Sequence, residues 1–135
     1  MPDALKLLAT RCSFKAIELA GPAPSAAEID TLLTVASRVP DHGKLTPWRF
    51  IVFEGEARRS AGAAIAAAFN AKYPDAKPEH VAAEGDRLMR APLVIAVVSR
   101  AAPHVKIPEW EQVLSAGAAA MSLVLAAHAL GYGAN

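Results

Sequence analysis

The segment from Arg38 to Phe50 carries the densest group of side chains that could do chemistry. Between Pro40 and Pro47 it offers a carboxylate, an imidazole, an ammonium and a hydroxyl group, on Asp41, His42, Lys44 and Thr46. Loops held by rigid elements are where binding groups concentrate, so this loop is a candidate binding site. The alternative is a solvated connection between a helix and a strand. The residue types alone leave both interpretations open.

A second polar group follows the first predicted helix and contains two cations and one hydroxyl, on Arg11, Ser13 and Lys15. Arginine at a helix C-terminus can also simply offset the helix dipole, which is the structural alternative for Arg11. Cys12 lies within this group. A lone cysteine is more often a small packing residue than a nucleophile, and no neighbouring residue is a dedicated base.

The remaining histidines, His80, His104 and His128, show no metal-ligand spacing with one another or with Cys12, so no metal site is predicted. His128 is interpreted as a hydrogen-bonded packing residue on an apolar helix. No G-x-G-x-x-G sequence follows a predicted strand, so a Rossmann dinucleotide site is not indicated.

Composition predicts one soluble, cytoplasmic domain covering residues 1–135. Hydrophobic residues make up 53% of the chain and charged residues 20%, with a formal net charge of +1. The sequence contains no basic stripe, which argues against nucleic acid as a partner. A single cysteine excludes an internal disulfide and suits a reducing compartment. The most apolar run, from Ala116 to Gly131, is shorter than the roughly 20 residues of a membrane span, so no membrane partner is predicted.

Helices dominate the predicted elements. Asp3 begins a first helix that reaches Arg11, and Ser25 with Glu28 forms a capping box for a second helix that ends before Pro40. Further helices are predicted over 57–72, over 79–90 with a weak point at Gly85, and from Pro108 to Leu130, the last enclosed by other elements because it is apolar nearly all round. The predicted strands are 48–54 and 93–98, both apolar on two faces. Trp48 is predicted to lie in the core.

Two strands alone do not form a stable sheet. The sequence therefore predicts either that further strands come from a partner chain or that they lie in a part of the natural protein outside this sequence.

Three stretches in order resemble the FMN-dependent nitroreductase family, especially its short branch of NAD(P)H nitroreductases. The first is Arg11-Cys12-Ser13, where the family has Arg-x-Ser. The second is Arg38-Val-Pro-Asp-His42 followed by Pro47-Trp48-Arg49-Phe50. The third is Trp110-Glu111-Gln112 opening a long helix that ends Leu130-Gly-Tyr-Gly-Ala-Asn135. The likeness covers nearly all of the chain.

This resemblance implies an α+β fold, with a central mixed sheet flanked by helices and helices dominating in this chain. It implies a homodimer with FMN at the subunit interface, NAD(P)H as electron donor and a nitroaromatic, quinone or similar small molecule as oxidant. Relative to the family the chain is expected to be C-terminally truncated. The family continues with more sheet, a Trp and a basic residue that helps hold the FMN phosphate.

The resemblance also implies the site residues. Cofactor contacts are assigned to Arg11, Cys12, Ser13, Lys15, Arg38 and His42, and the flavin rather than a side chain carries the chemistry. Cys12 stands where the short branch often has a second arginine, which lowers the local positive charge. Lys15 and Arg38 are candidates for stabilising reduced flavin near N1 and O2. The nicotinamide region is assigned to Leu125, Ala126, Ala127, His128, Ala129 and Leu130. Trp110 and Glu111 are assigned to packing and to the helix N-terminus.

Two functions are compatible with these observations. One is an FMN-dependent oxidoreductase that uses NAD(P)H and transfers hydride through the flavin by a ping-pong reaction. The other is a non-catalytic flavin-binding or dimeric interaction protein that keeps only the front half of the fold.

Overall fold

The computed structural model describes residues 3–135, of which more than half are helical. The elements in chain order are α1 (Ala4–Thr10), α2 (Ala26–Ala36), β1 (Trp48–Phe53), α3 (Glu56–Lys72), α4 (Pro78–Gly85), β2 (Val94–Ser99) and α5 (Glu109–Ala129). Short 3-10 turns occupy Ala16–Glu18, His42–Lys44 and Asp86–Arg90. The predicted α+β, helix-dominated class is confirmed, and the element bounds agree with the sequence pattern within a few residues.

The chain divides into two compact units. The first comprises the chain up to Phe14 together with Pro24–Ile51 and Ile95–Asn135. The second comprises Lys15–Ala23 and Val52–Val94.

In the first unit, the start of α2 is fixed by the predicted capping box. The Ser25 hydroxyl accepts from the Glu28 backbone N–H at 3.4 Å, and the Glu28 carboxylate accepts from the Ser25 N–H at 2.8 Å. The same carboxylate accepts a hydrogen bond from the Tyr132 hydroxyl at 3.0 Å. A capping group thus also joins α2 to the segment after α5.

This arrangement makes folding stability depend on pH. The backbone N–H of Ser25, its hydroxyl and the Tyr132 hydroxyl, in that order, lower the pKa of Glu28 below its ordinary value of 4.5. Loss of solvation, and then the bond to the Glu28 carboxylate, raise the pKa of Tyr132 above 10.0. The lowered pKa of Glu28 contributes folding stability at pH values above the pKa that the carboxyl has in the unfolded chain. This contribution is lost as pH falls through the pKa of the folded protein. The raised pKa of Tyr132 contributes stability below the pKa of the phenol in the unfolded chain, and this contribution is lost as pH rises through the pKa of the folded protein.

We therefore expect the free energy of unfolding to fall as pH is lowered from about 4.5, and part of that fall to be absent in Glu28→Gln. Urea unfolding at a series of pH values between about 3 and 7 measures it. Asp30→Asn, an exposed carboxylate on the same helix, is the control. Identical pH profiles for wild type and Glu28→Gln would contradict the expectation.

The core of the first unit lies between α2, β1 and α5. Trp48 is 8% exposed and packs with Ala116 and Ala119 of α5, which confirms its predicted core position. Half-buried Phe50 and Val97 pack against this cluster. The alanines on α5 permit close packing because they project so little from the helix.

The strands β1 and β2 pair with each other in an antiparallel sheet. Beyond their ends, the Arg100 N–H donates to the Pro47 carbonyl at 2.8 Å. The apolar sequences predicted strands that are buried on both faces. This prediction is wrong for β2, where every residue is half-buried or exposed. Within residues 3–135 the sheet consists of this pair.

In the second unit, α3 crosses α4 where two glycines meet. A Cβ atom built on Gly62 would lie 2.1 Å from the Gly85 carbonyl oxygen, so only glycine permits this approach. The sequence placed a weak point at Gly85, and α4 does end there and continue as a 3-10 turn. Arg58 of α3 donates to the carbonyl oxygen of Ala91.

The helix α5 differs from its prediction as an enclosed helix. It buries Gln112, Ala116, Ala119 and Ala126 on one side. On the other side it exposes an apolar stripe, defined here as Trp110, Val113, Leu114 and Met121, with exposed fractions from 44% to 63%. A near-uniform apolar composition does not reveal which side the chain's own elements cover. The assignment of Trp110 to packing is therefore wrong within this chain.

By length and composition alone α5, with 21 residues, could cross a membrane. It is the one helix in residues 3–135 that meets this test. The helix begins at Glu109 and is therefore longer than the apolar run from Ala116 to Gly131 on which the sequence prediction rested. The core helix of a soluble protein meets the same test.

Candidate functional site

The histidine loop, defined here as Pro40–Thr46, is shaped by its own carboxylate. Asp41 Oδ1 accepts from the Leu45 N–H at 3.2 Å, and Oδ2 accepts from the Thr46 N–H at 2.8 Å. An aspartate that bonds to backbone N–H groups ahead of it in the sequence closes the chain into a compact turn. The loop is therefore an ordered turn whose His42, Lys44 and Thr46 side chains are exposed.

This turn holds three residues at positive φ, namely Gly43 at 71°, Lys44 at 54° and Thr46 at 45°. The left-handed region is costly for a β-branched residue such as Thr46, and such strain clusters at binding sites. A Cβ on Gly43 would lie 2.6 Å from Ile107 Cδ1. The turn therefore rests directly on the buried side chain of Ile107.

Two residues one turn apart on α5 hold the histidine loop from the side. The His42 imidazole Nδ1 lies 3.1 Å from Glu111 Oε2 and 3.3 Å from Oε1. The Ser115 hydroxyl donates to the Pro40 carbonyl at 2.8 Å. Both contacts join the loop to the beginning of the long helix.

The arginine–serine segment, defined here as Arg11–Phe14, is held at the other end of α5. The Phe14 N–H donates to the Ala134 carbonyl at 3.0 Å, and the Asn135 side-chain amide donates to the Phe14 carbonyl at 2.5 Å. The Phe14 ring stacks on the His128 ring with centroids 6.1 Å apart. The segment therefore adjoins the region assigned to the nicotinamide.

In that region, residues 125–130 form the last turn of α5 and its C-cap. Ala126 is buried, and most of the other residues are half-buried. His128 Nε2 is buried and has no hydrogen-bond partner among residues 3–135. The predicted hydrogen bond of His128 is thus absent at this nitrogen, and a buried polar atom remains beside Phe14.

The histidine loop and the arginine–serine segment lie against opposite ends of α5. Glu111 contacts the histidine loop and His128 contacts the arginine–serine segment. Between these residues the helix advances about 26 Å, at about 1.5 Å per residue. Within one chain, Phe14 and His42 are therefore not brought together.

Among the other predicted contacts, Arg11 is half-buried and the rest are exposed. Cys12 and Ser13 are both exposed, and Cys12 has a free thiol. Lys15 belongs to the second unit, where its ammonium lies 4.0 Å from the Glu18 carboxylate. Arg38 follows the end of α2 and is exposed.

The chemistry of these residues fits a phosphate-bearing flavin. Guanidinium, hydroxyl, ammonium and imidazole groups all donate hydrogen bonds, and arginine binds phosphate in a bidentate geometry. Within residues 3–135, neither Arg11 nor Arg38 has a carboxylate partner within 4.0 Å. Arg11 and Arg38, two cations without an anionic partner in residues 3–135, are therefore available to a ligand.

Sequence reasoning missed the residues that hold these contacts in place. Glu111 had been assigned to the helix N-terminus, and Ser115, Phe14 and Asn135 had no role. The His42–Glu111 contact joins residues 69 positions apart, a separation at which a single sequence carries no pairing signal.

Comparison with known proteins identifies the family. The family model described as "Nitroreductase family" matches residues 18–135. The chain is 40% identical over 131 residues to "Putative NAD(P)H nitroreductase YdjA" of Escherichia coli strain K12, covering 97% of the chain and 69% of that protein. It is 43% identical to "Putative NAD(P)H nitroreductase" of Haemophilus influenzae, covering 96% of the chain and 69% of the relative.

Solved structures show the same fold. A nitroreductase-like family protein from Bacillus cereus superposes with a TM-score of 0.74 at 21% identity, covering 98% of this chain and 68% of its own. A BluB-like flavoprotein from Clostridium difficile 630 superposes with a TM-score of 0.70 at 16% identity, covering 98% of this chain and 73% of its own. The chain therefore belongs to the nitroreductase family, a family of flavin-dependent oxidoreductases.

Proposed function

We propose that this protein is an FMN-dependent oxidoreductase that takes electrons from NAD(P)H and passes them to nitroaromatics, quinones or similar small oxidants. Support comes from the family and from the names of the Escherichia coli and Haemophilus influenzae relatives. When bound, FMN supplies the hydride chemistry, in two half-reactions of a ping-pong cycle. The protein's own residues bind the cofactor, orient it and place charge near it.

The arginine–serine segment carries this proposal. Its backbone is fixed by the Phe14 hydrogen bonds to Ala134 and Asn135, while the Arg11 guanidinium has no carboxylate partner within residues 3–135. An arginine held on a fixed backbone is suited to bidentate binding of the FMN phosphate. Ser13, which is exposed, adds a hydroxyl donor. Cys12, between these two in the sequence, and Lys15 are the further proposed contacts.

Arg38 and His42 form the second set of proposed contacts. Reduced flavin carries negative charge near N1 and O2, so a nearby cation or hydrogen-bond donor stabilises it. Arg38 is exposed and without a carboxylate partner in the described residues. The strained turn at Lys44 and Thr46 supports a binding role for the adjoining His42.

Residues Leu125–Leu130 are proposed to border the nicotinamide of NAD(P)H. Half-buried apolar side chains here offer a surface to the flat nicotinamide ring. His128 lies in the same region, with its Nε2 buried and without a hydrogen-bond partner in residues 3–135.

The active form is proposed to be a homodimer in which FMN binds between two copies. The arginine–serine segment and the histidine loop contact opposite ends of α5, about 26 Å apart along the helix. A second copy can supply the set that one copy lacks at each end. The exposed apolar stripe lies between the two ends and offers the contact surface.

Leu114→Glu tests the dimer. Leu114 is 63% exposed, so the change should leave the fold of one chain intact while placing a charge in the dimer contact. We expect a dimer for the wild type and mostly monomer for Leu114→Glu by analytical ultracentrifugation. The matched control is Leu8→Glu, an exposed leucine on α1. A wild-type monomer, or an unchanged dimer in Leu114→Glu, would contradict this mode of association.

For residues 1–135, we further propose a single soluble, cytoplasmic domain without nucleic-acid or membrane partners. The near-balanced charge and the single cysteine support this. After expression and lysis it is expected in the supernatant without detergent.

Purification of the chain, followed by an absorption spectrum and an FMN titration, tests the function. The proposal expects a yellow protein, or saturable binding of added FMN, and oxidation of NADH or NADPH in the presence of a nitroaromatic. Saturable FMN binding without NAD(P)H oxidation would favour the non-catalytic alternative. Absence of FMN binding would refute the flavin site.

A further inference from the structure

The contact between His42 and Glu111 is unlike the other ion-pair contacts in residues 3–135. Those others, Lys15–Glu18, Arg59–Glu56 and Arg87–Glu84, each join residues three positions apart. The His42–Glu111 contact joins a loop to a helix across 69 positions. The Glu111 side chain is 35% exposed, whereas the His42 side chain is 61% exposed. The carboxylate is thus the more enclosed and better-placed partner.

The base of this contact is fixed by neighbouring residues of α5. The side chain of Gln112, 5% exposed, accepts from the Ala102 N–H at 3.1 Å and donates to the Ala102 carbonyl at 2.8 Å and the Ile107 carbonyl at 3.2 Å. Ile107 lies beneath Gly43, and Ser115 holds the Pro40 carbonyl. The loop around His42 is therefore supported from three directions.

We propose that Glu111 is a positioning residue for His42 in the flavin site. Its carboxylate can only accept a hydrogen bond, so it selects the form of the imidazole that carries a proton on Nδ1. The other ring nitrogen, Nε2, is left outside this contact and free to meet a ligand of the loop. Glu111 thus sets both the orientation and the protonation pattern of the ring without touching the ligand itself.

This inference rests on the proposed function, in which His42 contacts FMN, and adds to it a residue that the family resemblance did not assign to the site. Without the Glu111 contact, the His42 imidazole would lose its freedom of rotation only when FMN binds. A contact that removes this freedom beforehand improves affinity by preorganisation. The pair is partly exposed, so its effect is modest, about three- to tenfold in FMN affinity.

Nuclear magnetic resonance of the imidazole nitrogens in the cofactor-free protein tests the proposal directly. At a pH of about 8.5, where free imidazole is neutral, the wild type should show a protonated Nδ1 and an unprotonated Nε2 at His42. Glu111→Ala should lose this preference. Glu111→Gln should weaken it, because its amide can accept from a protonated Nδ1 or donate to an unprotonated one. An unchanged nitrogen pattern in Glu111→Ala would overturn the proposal.

An FMN titration of the same variants completes the test. Glu111→Ala should bind FMN about three- to tenfold more weakly than wild type, and Glu111→Gln should fall between the two, because its amide restores a contact with the ring but not the selection of one protonated nitrogen. Glu109→Ala removes an exposed carboxylate from the same first turn of α5 and should bind like the wild type. Equal weakening by Glu109→Ala and Glu111→Ala would show a general charge effect and overturn the positioning role. If the wild type binds no FMN, the flavin function fails, while the nitrogen pattern still decides whether Glu111 orients the ring.

Discussion

Arg11→Ala and Arg38→Ala should each weaken FMN binding by about 1.5–3 kcal/mol, which is roughly ten- to 150-fold in the dissociation constant. Each change removes a charged hydrogen-bond donor that has no carboxylate partner in residues 3–135. Nothing within the chain therefore compensates for the loss of the ligand contact. Fluorescence quenching of free FMN measures the dissociation constant.

The two arginine variants should keep the stability of the wild type, because neither guanidinium forms an ion pair with a carboxylate in residues 3–135. Arg59→Ala is the matched control: Arg59 is an exposed arginine of α3, paired with Glu56 at 3.5 Å. It should leave FMN affinity unchanged. Affinities equal to the wild type in both Arg11→Ala and Arg38→Ala would show that the flavin site lies elsewhere.

Gly62→Ala should destabilise the second unit, although glycine-to-alanine changes in a helix are usually favourable. The added Cβ would lie 2.1 Å from the Gly85 carbonyl oxygen, a backbone atom that moves only if α4 moves. Overpacking of this kind costs about 1–3 kcal/mol or more, which outweighs the roughly 1 kcal/mol that alanine gains over glycine in a helix. We expect a net loss of about 2 kcal/mol in urea unfolding.

Two controls separate this clash from a general effect of the substitution. Ala63→Ser adds one atom at the neighbouring exposed position and should cost only a few tenths of a kcal/mol. Gly85→Ala should cost less than Gly62→Ala, because its Cβ would meet the Ala66 Cβ at 3.2 Å, with the nearest backbone atom at 3.4 Å. A stabilised Gly62→Ala would mean that α3 and α4 do not approach as closely as described.

Local signals predicted the elements well because each signal is a short-range physical constraint. Ser25 and Glu28 satisfy each other's backbone N–H groups, so α2 begins where the capping box places it. Pro40 disfavours helical geometry in the residue before it, and α2 ends a few residues earlier, at Ala36. Trp48 is buried in the core, as expected of a large aromatic residue beginning an apolar strand.

The same signals could not predict features that depend on distant partners. A helix that is apolar nearly all round has the same sequence pattern whether its own chain or a second copy covers it. The sequence therefore did not predict that one side of α5 is exposed within the chain. The approach of Gly62 to Gly85 needs the crossing of two helices, which glycine content alone does not specify. The role of Glu111 depends on a loop 69 positions away. The arginine and histidine contacts themselves came from the resemblance to the family.

A mixture of Arg11→Ala and Arg38→Ala tests most directly whether two copies share each flavin site. If one copy supplies Arg11 and the other supplies Arg38, a mixed dimer contains one site with both arginines and one site with neither. Co-expression with random pairing then makes about a quarter of all sites intact. FMN titration of the co-expressed protein should reveal this fraction binding with wild-type affinity, although each variant alone binds weakly. A mixture in which every site binds as weakly as in the separate variants would contradict a site built from opposite ends of α5 in two copies.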